Sequence, residues 1–162
     1  MRRKTYYGVI LLLVFMFVLS STGYSSLQET QSEEAKQTQS LVDEAAALLE
    51  SKGTEAFTEF RKKDSQWLKG DTYIFAFDVN GIEIFHPIKP DLEGKNIIDF
   101  KDVNGKAFVQ EMIEIANTKG SGWVEYVYPK PGEGAPSKKM TYIKKVKAGD
   151  ETLIIGSGYY TD

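Results

Sequence analysis

Two apolar runs, Tyr73-Ile-Phe-Ala-Phe77 and Ile82-Glu-Ile-Phe-His86, flank the tetrapeptide Asp78-Val79-Asn80-Gly81. Asn-Gly is the strongest short hairpin signal, because a type I′ turn needs positive φ at both central residues. With Asn80 and Gly81 as the loop, Phe77 faces Ile84 and Phe75 faces His86. That register puts Tyr73, Phe75, Phe77, Ile84 and His86 on one side of the sheet and Ala76, Phe85, Asp78 and Glu83 on the other. An aromatic hairpin followed by further strand patterns commits the chain to an antiparallel sheet.

Ahead of the hairpin, Leu41, Val42, Ala45, Leu48 and Leu49 recur at the spacing of one helical face, which predicts a long amphipathic helix over Glu29–Glu50. Lys52-Gly53 stops it, and Thr54 caps a shorter helix running towards Asp64. Pro87 ends the hairpin, and the Pro, Gly and Asn content from Pro90 to Asn96 reads as a loop. A third helix is expected from Gly105 to Asn117. Strands follow at Gly122–Tyr128, Met140–Val146 and Leu153–Tyr159, with Pro129–Pro136 as a hairpin tip. No internal repeat is visible. The order predicts an α+β domain with an antiparallel sheet of about five strands, helices on one face and loops on the other.

The chain of 162 residues has one domain's length and an ordinary globular composition, 41% hydrophobic and 27% charged. It holds no cysteine and the single histidine His86, so Cys/His zinc sites, iron–sulfur clusters and thiol catalysis are excluded by inventory. Cationic Arg2-Arg3-Lys4, the apolar run Val9–Leu19 and the small polar stretch Ser20–Ser26 read as an export signal over residues 1–23. Two fates stay open: cleavage after Gly23, or retention as an anchor with Tyr6 and Tyr7 at the interface. Both place the rest of the chain outside the cytoplasm, with 24–40 as the polar start of the helix and 41–162 as the domain. Without the three signal cations, 17 basic side chains oppose 23 acidic ones. Such an acidic domain repels a phosphate backbone, and no nucleic-acid partner is expected.

Phe77-Asp78-Val-Asn-Gly81, His86-Pro87, Gly94-Lys95-Asn96, Gly122-Trp123-Val-Glu-Tyr126, Tyr142-Ile-Lys144 and Gly156-Ser-Gly-Tyr159 occur in that order. Together they resemble the single Cache domain, a PAS-like extracytoplasmic sensor module of chemoreceptors and histidine kinases. The resemblance covers Leu41 to Tyr160. It implies binding of a small molecule, often a short organic acid, and a long N-terminal helix that dimerises and passes a signal to the membrane. Because the sequence ends at Thr161-Asp162, a freestanding Cache domain is expected, signalling through a membrane kinase or chemoreceptor. The alternative is a helix-mediated dimerisation or interaction protein without a ligand role.

A small carboxylate needs a cation, directional donors and apolar walls. Alternation puts Lys144 beside Tyr142, and with the resemblance this makes both candidate ligand contacts. Lys130, Lys138 and Lys139 are expected on the surface, as lysines usually are. His86, opposite Phe75, either donates to a carboxylate, with pH dependence near its ordinary pKa of about 6.5, or bonds a loop carbonyl. Tyr73, Tyr126 and Tyr128 supply further candidate contacts, since buried tyrosine hydroxyls need partners, and Phe75 on the same aromatic face is a candidate apolar contact. Gly156 and Gly158 are expected to allow close approach of a helix or a ligand, with helix packing the favoured reason. No catalytic residue, metal ligand or cofactor is assigned: Ser157 lacks a nucleophile elbow and one histidine is not a coordination set.

Overall fold

The computed structural model describes residues 21–161, so most of the export signal lies outside the described residues. Helix α1 spans Ser21–Lys52, longer at both ends than the periodicity predicts. A compact unit begins at Glu34 and runs to the C-terminus. Within that unit α1 buries Val42, Ala45, Ala46 and Leu49, the 3-and-4 spacing that lines up one helical face. Gly53 ends it at φ +60, a left-handed conformation that costs glycine nothing. A 3₁₀ turn (Gly53–Ala56) and the single turn α2 (Phe57–Phe60) follow. Among the described residues no helix is long and apolar enough to cross a membrane.

A small ribbon, β1 (Leu68–Lys69) and β2 (Thr72–Tyr73), precedes the main sheet. The sheet contains β3 (Phe75–Asp78), β4 (Glu83–Phe85), β5 (Ser121–Pro129), β6 (Pro136–Ala148) and β7 (Glu151–Tyr160), with α3 (Phe108–Lys119) between β4 and β5. Its spatial order is β4-β3-β7-β6-β5, antiparallel throughout, so the last strand lies between the first hairpin and the long β5–β6 hairpin. Gly120 closes α3 at φ +79, its N–H bonded to the Ala116 carbonyl.

The first hairpin departs from the register expected of a two-residue loop. Asp78 N–H donates to the Ile82 carbonyl at 2.9 Å and Gly81 N–H to the Asp78 carbonyl at 3.0 Å. The loop is therefore three residues, with Gly81 at φ +82. One extra loop residue moves the pairing beside the turn to Phe77↔Glu83, and a bulge at Ile84 restores the expected Ala76↔Phe85 beyond it. Since a single slip exchanges faces, Glu83 joins Phe77, while Ile84 packs against the cluster on the other face. Phe85 and Ala76 lie on that other face as expected.

The same tetrapeptide recurs as Asp102-Val103-Asn104-Gly105 and forms the same turn, with Gly105 also at φ +82. In each turn one aspartate Oδ1 accepts the N–H groups two and four residues on, at 2.8–2.9 Å. Asp102 Oδ2 also accepts the Val127 N–H at 3.0 Å, tying the crossover to β5.

Both sheet faces are covered. One carries α1 and α2, with Ile74, Ala76, Phe85, Tyr142, Val146, Leu153 and Ile155 beneath them. The other carries α3 and Ile97 of the crossover, over Tyr73, Phe75, Phe77, Val124, Tyr126, Ile143 and Ile154. Burying one such aliphatic or aromatic side chain contributes about 1.5–3 kcal/mol.

Candidate functional site

A cavity lies between the second face and α3. Tyr73, Phe75 and Phe77 form its floor, Phe108, Val109 and Met112 of α3 one wall, and Tyr126 and Tyr128 of β5 another. Glu83 and His86 close the β4 side, with Leu92, Ile97 and Phe100 from the crossover. Its accessible volume is about 30 Å³, room for two or three water-sized groups at about 10–15 Å³ each. It suits a molecule of few heavy atoms.

Strand alternation and ring packing assemble the walls. Phe108 stacks on Tyr126 with centroids 4.3 Å apart, and His86 sits 5.1 Å from the Tyr73 ring and 6.2 Å from Phe75. Both glycines of β7 serve this face, not helix packing as expected. A Cβ on Gly156 would lie 2.7 Å from the Phe75 ring, and one on Gly158 would meet Thr141 Oγ1, the Met140 carbonyl and the Lys139 stem at 2.5–2.8 Å.

Lys139 stands behind the cavity lining and reaches it through Tyr73. Fully buried, it donates from Nζ to the Tyr73 hydroxyl at 2.7 Å. The ammonium lies 4.1 Å from the Tyr73 ring centroid and 5.3–5.8 Å from those of Tyr160, Tyr128 and Phe75. Among the described residues no carboxylate reaches salt-bridge distance of it. Burial, then repulsion from Lys89, pulls its pKa down to about 7 against a weaker attraction from Asp71. Lys89 is the second cation, donating to the Tyr128 hydroxyl at 2.8 Å.

His86 is held neutral. Its Nδ1 accepts the Lys89 N–H at 3.0 Å, which leaves Nε2–H as the ring's donor. Burial, then Lys139 and Lys89, lowers its pKa to about 3, so the expected titration near 6.5 does not occur at this site. Glu83 is buried at 2% exposure, and burial followed by the Glu93 charge raises its pKa to about 8. Its Oε1 makes no hydrogen bond. Tyr126 accepts from the Thr141 hydroxyl at 3.2 Å, and burial raises its pKa.

Of the candidates from sequence, the cavity brings together Tyr73, Phe75, His86, Tyr126 and Tyr128. Tyr142 and Lys144 lie on the opposite face. Tyr142 pairs with Trp123, its ring 5.1 Å away, and donates to Ser121 Oγ; Lys144 donates to Asp43 of α1 at 2.6 Å. Alternation correctly joined Tyr142 to Lys144, but their shared face is the one α1 covers. Lys139, Lys89 and Glu83 were not singled out as contacts. For Lys139 the signal was present: it pairs across strands with Tyr126, and cross-strand partners share a face. Among the described residues no group of three or more metal-ligating side chains converges.

A five-stranded antiparallel sheet with a long N-terminal helix on one face and an aromatic cavity on the other is a PAS-like architecture. The family profile described as Cache domain matches residues 21–162, and the chain belongs to that family. Over 94% of its length it is 29% identical to the methyl-accepting chemotaxis protein McpP of Pseudomonas putida, covering 30% of that protein. A periplasmic sensor domain of a chemotaxis protein superposes with a TM-score of 0.70 at 26% identity, covering 82% of this chain and 98% of that one. A Cache chemosensory domain solved for carboxylic acid recognition superposes at 0.68 with 30% identity, covering 86% and 99%. The chain spans less than a third of the length of the curated relatives it matches. Cache domains of this kind are extracytoplasmic sensor domains of chemoreceptors.

Proposed function

We propose that this domain senses a short carboxylic acid of two to four carbons, bound in the cavity on the α3 face. The observation that carries the reading is Lys139, a buried ammonium without a carboxylate partner behind an aromatic wall. A buried unpaired charge is costly, and an anion arriving beside it relieves that cost. The Nε2–H of His86 supplies a directional donor to the cavity. The similarity to a carboxylic-acid-recognising Cache domain supports the class of ligand.

The ligand signal passes through α1, on which the opposite face of the sheet packs, to a membrane chemoreceptor or sensor kinase, with α1 also pairing two copies of the domain. A thermal-shift screen of acetate, propionate and butyrate tests the ligand reading. Ligand at about 100 times its Kd adds about 2.7 kcal/mol to stability. Absence of a shift from every acid would overturn it.

A further inference from the structure

The carboxylate reading accounts for one polar side of the cavity and leaves another polar group without a role. Glu83 stands on the edge strand β4, 2% exposed, with its side chain on the cavity wall. Its main chain is fully engaged by the crossover: Glu83 N–H donates to the Lys95 carbonyl at 2.9 Å, and Gly94 N–H donates to the Glu83 carbonyl at 2.7 Å. Those bonds fix the strand and aim the side chain inward, where Oε1 is buried and unbonded. A buried polar atom without a partner costs about 1–3 kcal/mol. That cost is understandable where a ligand atom completes the bond.

Three neighbours decide which atom that is. Phe77, opposite Glu83 in the sheet, and Ile97 of the crossover are apolar and offer no partner. Glu93 is the nearby charge, but its Oε1 is occupied by Arg61 at 2.7 Å and by the His86 N–H at 2.9 Å. An apolar setting with a second carboxylate close by disfavours an ionised Glu83 and favours the acid form. In that form the carboxyl carries an O–H donor, which an oxygen acceptor satisfies and an ammonium group does not.

We propose that Glu83 is the specificity-determining residue of the cavity, donating a hydrogen bond that selects short carboxylic acids with a second oxygen, a hydroxyl or carbonyl, over plain alkanoates and amino acids. The inference rests on the carboxylate reading above and deepens it. A site built to bond a ligand oxygen rejects the analogue lacking it, because its own polar group is then left unpaired. The small volume restricts that oxygen to a position two or three carbons along the ligand.

A three-carbon series changes only the substituent: propionate, lactate, 3-hydroxypropionate, pyruvate, alanine and β-alanine. Calorimetric titration of the full chain at pH 6.5 should show at least one of lactate, 3-hydroxypropionate and pyruvate binding about tenfold or more tighter than propionate, and both amino acids weaker than propionate. Glu83→Gln, which keeps a neutral donor, should retain the preference. Glu83→Met, which removes the donor, should abolish it. Propionate bound as tightly as every oxygenated acid, an amino acid bound tightest, or a preference that survives Glu83→Met would overturn the proposal while the carboxylate reading stands. Failure of all six compounds to bind the unsubstituted protein would overturn both. A circular dichroism melt of each variant confirms that lost preference is not lost folding.

Discussion

Lys139 and Tyr73 meet across the sheet at 2.7 Å, the ammonium donating to the phenol while lying 4.1 Å from its ring centroid. The contact combines a charge-assisted hydrogen bond with a cation–π interaction, together worth a few kcal/mol at most. Neither neutralises the charge. The pair is thus a poised cation behind a cavity wall, and it gives the domain an unusual pH response.

Replacing Lys139 should stabilise the unliganded domain. Its folded pKa of about 7 lies below the ordinary 10.5, so the unfolded chain binds the proton more tightly. Stability from this group is present above pH 10.5 and is lost as pH falls towards 7. A shift of that size corresponds to a cost on the order of 4 kcal/mol at pH 7. Lys139→Met keeps the stem and removes the charge. Urea denaturation should show a gain of a few kcal/mol at pH 7 and a flatter profile between pH 7 and 10.

Glu83 and His86 act on stability in opposite directions. Glu83, raised from 4.5 to about 8, contributes stability below pH 4.5 that is lost as pH rises to 8. His86, lowered from 6.5 to about 3, contributes stability above pH 6.5 that is lost as pH falls to 3. Between pH 4.5 and 6.5 the two slopes oppose each other. Glu83→Gln leaves His86 alone, so denaturation midpoints should climb through that window more steeply than in the unsubstituted protein.

Gly156→Ala tests the packing that makes room for the cavity floor. Its Cβ would approach Phe75 Cζ to 2.7 Å and Ile143 Cγ2 to 3.1 Å, so the Phe75 ring must shift. Overpacking of this kind costs about 1–3 kcal/mol. A lowered melting temperature, with weakened ligand binding because Phe75 lines the cavity, is the expected outcome.

Lys144→Ala separates the two faces of the sheet. The Lys144–Asp43 pair is 2.6 Å long but 38% and 41% exposed, and exposed pairs contribute about 0–1 kcal/mol. The substitution should leave carboxylate affinity unchanged within error and move stability by less than about 1 kcal/mol.

The long helix, the five strands and the aromatic face of the first hairpin were legible because periodicity reports burial directly. Tyr73, Phe75 and His86 followed from that. Glu83 was not, because Asn80-Gly81 fits a two-residue turn and a three-residue turn equally well as a dipeptide, and the extra residue moved Glu83 from the opposite face of the sheet to the cavity. Lys139 was hidden for a different reason. Lysine is so rarely buried that its exposure is the natural expectation, and only the pairing with Tyr126 and the space above Gly158 overturn it. Tyr142 and Lys144 were joined by alternation to the wrong face, since alternation sorts residues into two sets without saying which set meets α1.

Titration calorimetry of the full chain with propionate at pH 7, on the unsubstituted protein and on Lys139→Met, tests the central claim most directly. Losing a charge-assisted contact costs about 1.5–3 kcal/mol, roughly ten- to a hundredfold in affinity. Binding at the Lys139 side of the cavity predicts a saturable one-site isotherm that weakens at least tenfold in the folded variant. Equal affinity in the two proteins, or no binding by the unsubstituted protein to propionate or any other short acid, would contradict it.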